Sequence, residues 1–366
     1  RALRLTERSL ADDKTEQENI RRRLQEGGRR RSPGKIKIIR LPFFSGSKKD
    51  ELNYTLLLPL ETGKLVRYLR SNGFSMEQDD LGVRILSDTF SRKQNGKIST
   101  DLFLDEKRIV RYLHGHRDGK VEKALREAGR KTVFRGYDVI LFSMPEEYVN
   151  NSALLFALAL ASHILRRYNP VIILGGITGP VPSLLREHGD VFDFIVQGHG
   201  EKPLFRILTS LEYGQTTREI ARDAGWKRIV SHHIGAGLFG PDYRGLPLEK
   251  YGYRNVRRTQ TSDREAGEII EAFNHSGIRI SKYELMEGCP CRCVFCTSSG
   301  KVMQRITAPD EAAAALSRLK RTYGLGGFFF LSDTLNVSKE YLHRFCDALI
   351  SRRAGILWFD CARADN

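Results

Sequence analysis

Four of the chain's six cysteines fall within eight residues: Cys289, Cys291, Cys293 and Cys296. The spacing Cys289-x3-Cys293-x2-Cys296 puts three thiolates on one tight loop. Three thiolates can hold a [4Fe–4S] cluster and leave one iron open to an outside ligand. Zinc is the competing occupant, but a structural zinc wants four closed ligands, usually as two separated pairs. Here Cys291 would have to be the fourth ligand, inside the stretch Cys289-Pro290-Cys291-Arg292-Cys293, and no second pair exists in the sequence. A disulfide would require an oxidising compartment. The spacing favours iron–sulfur, with zinc as the alternative. Cys346, beside Phe345 and Leu349 on a predicted helix, reads as a small buried hydrophobe.

The rest of the chain must position that loop. Its 366 residues suggest two or three domains. With 40% apolar and 28% charged residues, the composition is that of an ordinary soluble protein. The longest apolar run, Ala153 to Ala161, is far shorter than the ~20 residues of a membrane span. The chain opens at Arg1 rather than Met, with a charged stretch and no apolar signal segment. A cytoplasmic protein is expected. The formal net charge is +16, of which residues 1–35 carry eleven Lys/Arg against six acids. Residues 1–34 therefore read as a basic arm, either a solvated tail or a nucleic-acid contact. No aromatic residue interrupts it to stack on a base, which favours the tail.

Residues 36–41 read as a buried strand ended by Pro42, and Leu60 to Arg70 as a helix stopped at Asn72-Gly73. Asn95-Gly96 marks a hairpin inserted at about 83–104. Strands and helices then alternate: strand 137–142, helix 151–168, strand 171–174, helix 181–187, strand 192–196, helix 204–211. That alternation predicts a parallel, doubly wound (Rossmann-like, flavodoxin-like) sheet over residues 35–215. Such sheets bind ligands beyond the carboxyl ends of their strands. Those ends are Ser143-Met144, Gly175-Gly176 with Thr178, and Gly198-His199-Gly200-Glu201. Their glycines let a bulky ligand approach the backbone, although tight turns alone would also use them. A glycine- and proline-rich connector spans 216–280, and residues 281–366 read as β-loop-α-β-α-β, the start of a β/α barrel.

The segment Cys289-Pro290-Cys291-Arg292-Cys293-Val294-Phe295-Cys296 resembles the CxxxCxΦC signature of radical S-adenosylmethionine (SAM) enzymes. The phrases Gly136-Tyr137-Asp138-Val139-Ile140, Ile173-Leu174-Gly175-Gly176 and Asp193-Phe194-Ile195-Val196-Gln197-Gly198-His199-Gly200-Glu201, with Pro241 to Leu248, resemble the cobalamin-binding branch of that family. The likeness covers roughly residues 35–366. It implies Cys289, Cys293 and Cys296 as ligands of a [4Fe–4S] cluster whose open iron chelates SAM, with Phe295 near the adenine. It further implies SAM contacts from Asp333, Asn336 and Arg363, and cobalamin contacts from Ser143, Met144, Gly175, Gly176, Thr178, Gly198, Gly200 and Glu201. Cys291 has no role in the pattern. No Asp-x-His-x-x-Gly motif supplies a histidine under cobalt, which the family branch commonly lacks; His114 and His116, in a glycine-flanked helix break, read as surface residues.

The function the resemblance implies is a cobalamin-dependent radical SAM methyltransferase. It would act on an unactivated carbon or phosphorus centre through a 5′-deoxyadenosyl radical and methylcobalamin. A small-molecule or natural-product substrate and an electron donor such as flavodoxin or ferredoxin are the implied partners. A rearrangement, ring contraction or cyclisation with the same cofactors is the first alternative. RNA modification is another, motivated by the charge. The RNA-acting methylthiotransferases of the superfamily carry a second cysteine trio near the N-terminus, whereas residues 1–280 contain no cysteine, so nucleic acid is not the expected partner. A zinc-stabilised binding module is the non-enzymatic alternative. Seventy residues follow the motif, room for roughly three βα units where the family's barrel usually has about six.

Overall fold

The computed structural model describes residues 2–27, 34–44, 57–90, 98–144, 151–232, 240–251, 279–289, 294, 305–332 and 334–362. Its first half contains strands β1 (Ile36–Arg40), β2 (Leu57–Leu58), β3 (Met76–Asp80), β4 (Val139–Ser143), β5 (Val171–Ile177), β6 (Phe194–Gly198) and β7 (Ile229–His232). Six of these pair in parallel in the order β3-β1-β4-β5-β6-β7. The chain reverses its direction of winding between β1 and β4, the flavodoxin-like arrangement whose ligand crevice lies at that reversal.

Alternation along the strands sorts the core into two layers. Ile38, Leu141, Ile173 and Val196 face helices α2 (Leu60–Ser71) and α8 (Glu201–Glu212). Ile39, Ile140, Phe142, Leu174 and Ile195 face the opposite layer. That layer holds α3 (Leu81–Phe90), α4 (Glu106–Leu113), α5 (Gly119–Lys131), α6 (Asn151–Tyr168) and α7 (Ser183–His188). Helix α6 is buried almost all round, which explains its continuous apolar run.

Three expectations change. Residues 2–27, read as a basic arm, form helix α1 (Ala2–Gly27). Gln17 donates to the Tyr68 hydroxyl at 2.8 Å, and the Arg21 guanidinium lies 5.1 Å from the Phe205 ring centre. Part of the positive charge thus covers an aromatic side chain instead of reaching into solvent. Among the described residues of 83–104 there is no hairpin strand: α3 covers the first part, since the Asp80 carboxylate caps Val83 N–H at 2.7 Å and Leu81, Ile85 and Leu86 pack into the core. A 3-10 turn, Thr100–Leu104, covers the end, and Asn95-Gly96 lies outside the described residues. Finally, the sheet runs past residue 215, through α9 (Thr217–Ala224), capped by a reciprocal Thr216–Glu219 pair, into β7.

The second half adds β8 (Arg279–Tyr283), β9 (Met286–Glu287), β10 (Arg305–Ile306), α10 (Pro309–Tyr323), β11 (Leu325–Phe330), α11 (Lys339–Ser351) and β12 (Leu357–Phe359). Its parallel sheet runs β12-β11-β8-β2, so the edge strand comes from the first half of the chain. Leu316, Phe328, Phe330 and Phe345 form its core against α10 and α11.

Residues 241–251 are stitched to both sheets. Gln78 of β3 donates to the carbonyls of Asp242 and Arg244, each at 2.8 Å. Asp242 accepts an ion pair from Arg70 at 3.0 Å, and burial notwithstanding, Arg244 and Arg70 hold its carboxyl well below the usual carboxylate range. Asp80 receives both Arg40, at 3.0 Å, and the Tyr251 hydroxyl. On the other side the Tyr243 hydroxyl meets Ser281 Oγ of β8 at 2.7 Å. A Cβ on Gly63 would stand 2.7 Å from Pro241, so α2 presses against this connector through bare backbone.

Candidate functional site

At the carboxyl ends of β1, β4, β5 and β6 lies a cavity of about 300 Å³. All eight residues named from the strand-end phrases line it: Ser143, Met144, Gly175, Gly176, Thr178, Gly198, Gly200 and Glu201. Its apolar wall is Leu65, Leu141, Ile173 and Leu204. Gly176, at φ +87°, forms part of the floor; a Cβ there would stand 2.6 Å from the Met144 carbonyl oxygen. Only glycine fits. Ser143 is held by the Thr62 hydroxyl at 3.0 Å. Gly200 precedes α8 without any side-chain cap, so the helix begins at the cavity with its amide ends unmasked.

The charged groups of this wall are carboxylates. Glu201 is 7% exposed and its Oε2 has no hydrogen-bond partner. Glu61, at the start of α2, also lines the cavity, and burial there pushes its carboxyl up while Lys64 opposes the shift. The Lys64 ammonium donates to Glu284, just past β8, and lies 3.6 Å from Glu61. Burial by itself would lower this lysine, but Glu61, Glu284 and Glu201 together raise it well above its ordinary value. A phosphate placed against Glu61 and Glu201 would meet like charge, so the arrangement disfavours a phosphate anchor at this point. Sequence reading missed Glu61, Lys64 and Glu284, because an i,i+3 Glu–Lys pair on a helix looks like an ordinary solvated face.

The cysteine loop leaves β9 and returns as β10. Glu287 pairs with Arg305 and Met286 with Ile306, an antiparallel ribbon whose two strands flank residues 288–304 in the sequence. Cys289 is half-buried at the mouth of this loop. Cys291, Cys293, Phe295, Cys296, Asp333 and Arg363 lie outside the described residues. Asn336 is buried in the 3-10 turn Leu335–Val337, where its side-chain oxygen accepts from the Thr334 hydroxyl at 3.0 Å. That turn folds onto the end of β12, since Leu335 N–H donates to the Cys361 carbonyl at 3.0 Å. Beside it, burial pushes the Asp360 carboxyl up to about 6, against hydrogen bonds from Cys361 and Ser332. His114 and His116 are exposed between α4 and α5 and line no part of the cavity; the His114 and His188 rings stand 5.4 Å apart.

The residues present fit part of a large cofactor. A volume of about 300 Å³ is at the small end for ligand pockets and admits one arm of a corrinoid, not the whole macrocycle. Cobalamin is rich in amide and hydroxyl donors, and the unpartnered Glu201 Oε2 supplies a buried acceptor for one. The glycine floor supplies the close backbone approach that a bulky ligand needs.

No family model matches the chain. The sequence is 26% identical over 212 residues to the anaerobic magnesium-protoporphyrin IX monomethyl ester cyclase of Rubrivivax gelatinosus. The chain resembles the cobalamin-binding radical SAM family. The cyclase match covers 53% of this chain and 34% of the cyclase, so the chain spans about a third of the length of that relative. Among solved structures, the apo form of the cobalamin-dependent S-adenosylmethionine radical enzyme OxsB is similar, with a TM-score of 0.49 and 14% identity, over 91% of this chain and 39% of OxsB. Among the described residues, no helix is long and apolar enough to cross a membrane.

Proposed function

We propose that the chain is the cobalamin-binding and cluster-binding part of a cobalamin-dependent radical SAM enzyme. The observation that carries this reading is the convergence of the eight strand-end residues on one cavity, with the specific three-cysteine motif following β9 in the sequence. Ser143, Gly176, Gly200 and Glu201 would hold one arm of cobalamin; Cys289, Cys293 and Cys296 would hold the cluster; Phe295, Asp333, Asn336 and Arg363 would contact SAM. When bound, these groups supply a 5′-deoxyadenosyl radical and a transferable methyl group. The chain's own work would be orientation and exclusion of water: Leu65, Leu141 and Leu204 supply an apolar wall to pack against the cofactor, and Lys64 ties α2 to the end of β8.

Within that class, methyl transfer to an unactivated carbon or phosphorus centre of a small molecule is the first reading, with a flavodoxin or ferredoxin as reductant. The match to a protein named as a cyclase favours a second reading, cyclisation or rearrangement without methyl transfer. Product mass separates the two, because methylation adds a carbon and cyclisation does not.

The cofactor reading is tested by elemental analysis of protein purified without oxygen after expression with cobalamin. About four irons and about one cobalt per chain are expected. Iron without cobalt overturns the cobalamin part of the reading, and zinc alone overturns the enzyme reading altogether.

A further inference from the structure

The strand-end cavity and the end of β8, which leads in sequence to Cys289, share one buried cation. Lys64 is 7% exposed and sits one helical turn from Glu61, which lines the cavity. Its ammonium donates to Glu284, which follows β8 and precedes Cys289 by five residues. The backbone supports this bridge on both sides. Helix α2 starts two residues after β2, and β2 pairs with β8 through Leu57–Ile280 and Leu58–Ser281. The first turn of α2 and the end of β8 are therefore held against each other before any side chain acts.

We propose that Lys64 is a positioning residue that transmits occupancy of the strand-end cavity to the end of β8, from which Cys289 follows, through Glu61 on the cavity wall and Glu284. The argument rests on counting charges. One ammonium faces three carboxylates, Glu61, Glu201 and Glu284, contributed by α2, α8 and the β8–β9 turn. It cannot satisfy all three equally. His199 Nδ1 stands 3.9 Å from Glu201 Oε2, beyond hydrogen-bond distance, so that buried oxygen accepts no hydrogen bond and can take one from a ligand. A ligand that donates hydrogen bonds to Glu61 or Glu201 satisfies that carboxylate and leaves the ammonium to Glu284. Tightening Lys64 onto Glu284 then steadies the strand end from which Cys289 follows. Lys64 and Glu201 are buried and Glu61 and Glu284 half-buried, so solvent screens such redistribution only in part.

This inference rests on the reading that the cavity receives cobalamin, and its test separates the two. The full chain, reconstituted with iron and sulfide, is titrated with cobalamin by absorbance. Hydrogen exchange of the peptide covering residues 279–289 is then followed by mass spectrometry, with and without saturating cobalamin. In the unaltered protein, cobalamin is expected to slow exchange in this peptide several-fold. Lys64→Gln is expected to weaken cobalamin binding ~10-fold and to abolish the slowing even at saturation. Glu284→Gln, which leaves the cavity wall intact, is expected to abolish the slowing and, by reciprocity, to weaken cobalamin binding only by about the several-fold factor that the slowing measures. Lys64→Arg restores it. A chain that binds no cobalamin overturns the cofactor reading and this inference with it. Bound cobalamin with unchanged exchange in 279–289, or wild-type slowing in Glu284→Gln, overturns the inference alone. Should Lys64→Gln fail to fold, the Glu284→Gln result decides.

Discussion

The two sheets bind, on this reading, in opposite ways. In the first sheet both faces are sealed: Ile38 and Leu141 are buried under one helical layer, Ile140 and Phe142 under the other. Nothing can enter except at the strand ends, and there glycine backbone does the receiving. In the second sheet α10 and α11 bury Phe328 and Phe330, while the other face presents Phe329 stacked 4.6 Å from Phe359, with Leu357 and Phe359 exposed by 53% and 39%. A sheet sealed on both faces offers a site whose shape is set by the backbone; among the described residues, the second sheet leaves side chains exposed at its β12 edge. The first kind is sensitive to an added carbon atom, the second to a lost ligand group.

Substitutions can break that contrast. The largest effect is expected from Cys289→Ala, which should cut bound iron to under about a tenth while cobalamin binding in the cavity stays within ~2-fold. Iron analysis and an absorbance titration on the same sample check both halves; loss of both cofactors together would deny that the sites are separable. Gly176→Val comes next. The β-carbon would overlap the Met144 backbone at a φ of +87°, and cobalamin affinity should fall ~100-fold or more, near 3 kcal/mol, with iron content unchanged.

Acid should act on the two regions with opposite sign. Burial, aided by Arg167, Arg126 and Arg166, pushes the core residue His163 down to about 4. The unfolded chain takes up this proton near the ordinary histidine value and the folded chain only near 4. Stability is therefore present above that window and lost as pH falls through it, by on the order of 2–3 kcal/mol. Asp360, pushed up to about 6, binds its proton more readily when folded, so its contribution grows as pH falls from about 6 towards the ordinary carboxylate value. Urea melts at a series of pH values should show a flatter profile for His163→Leu and a steeper acid loss for Asp360→Asn. The smallest effect is expected at Phe359, where alanine should cost less than ~1 kcal/mol, against ~3–5 kcal/mol for Phe142→Ala in the sealed sheet. Equal costs would mean that the second sheet is as covered as the first.

Much of the cavity was legible without coordinates. Alternating strands and helices place Ser143, Gly175 and Gly198 at equivalent strand ends, and parallel winding brings equivalent ends together. Residues 83–90 are helix where the turn signal Asn95-Gly96 predicts a hairpin strand, because the helical spacing of Leu81, Ile85 and Leu86 buries one face in the core. Strand β3 was invisible for another reason. Met76-Glu77-Gln78-Asp79-Asp80 has the composition of a loop, and it forms a strand because its side chains are satisfied from elsewhere: Gln78 by the carbonyls of Asp242 and Arg244, Asp79 by Arg84, Asp80 by Arg40 and Tyr251.

The sequence by itself determined where backbone must come close to a ligand and which thiolates share a loop, since glycine's freedom and cysteine's ligating power are properties of single residues and their spacing. Tertiary structure alone decided where the buried charges found partners. Strand β2 crosses to the second sheet, residues 241–251 lie along β3, and Lys64 gathers carboxylates from three elements. A charged side chain in a sequence looks solvated until its counter-charge arrives from a distant segment, and only the folded chain brings the two together.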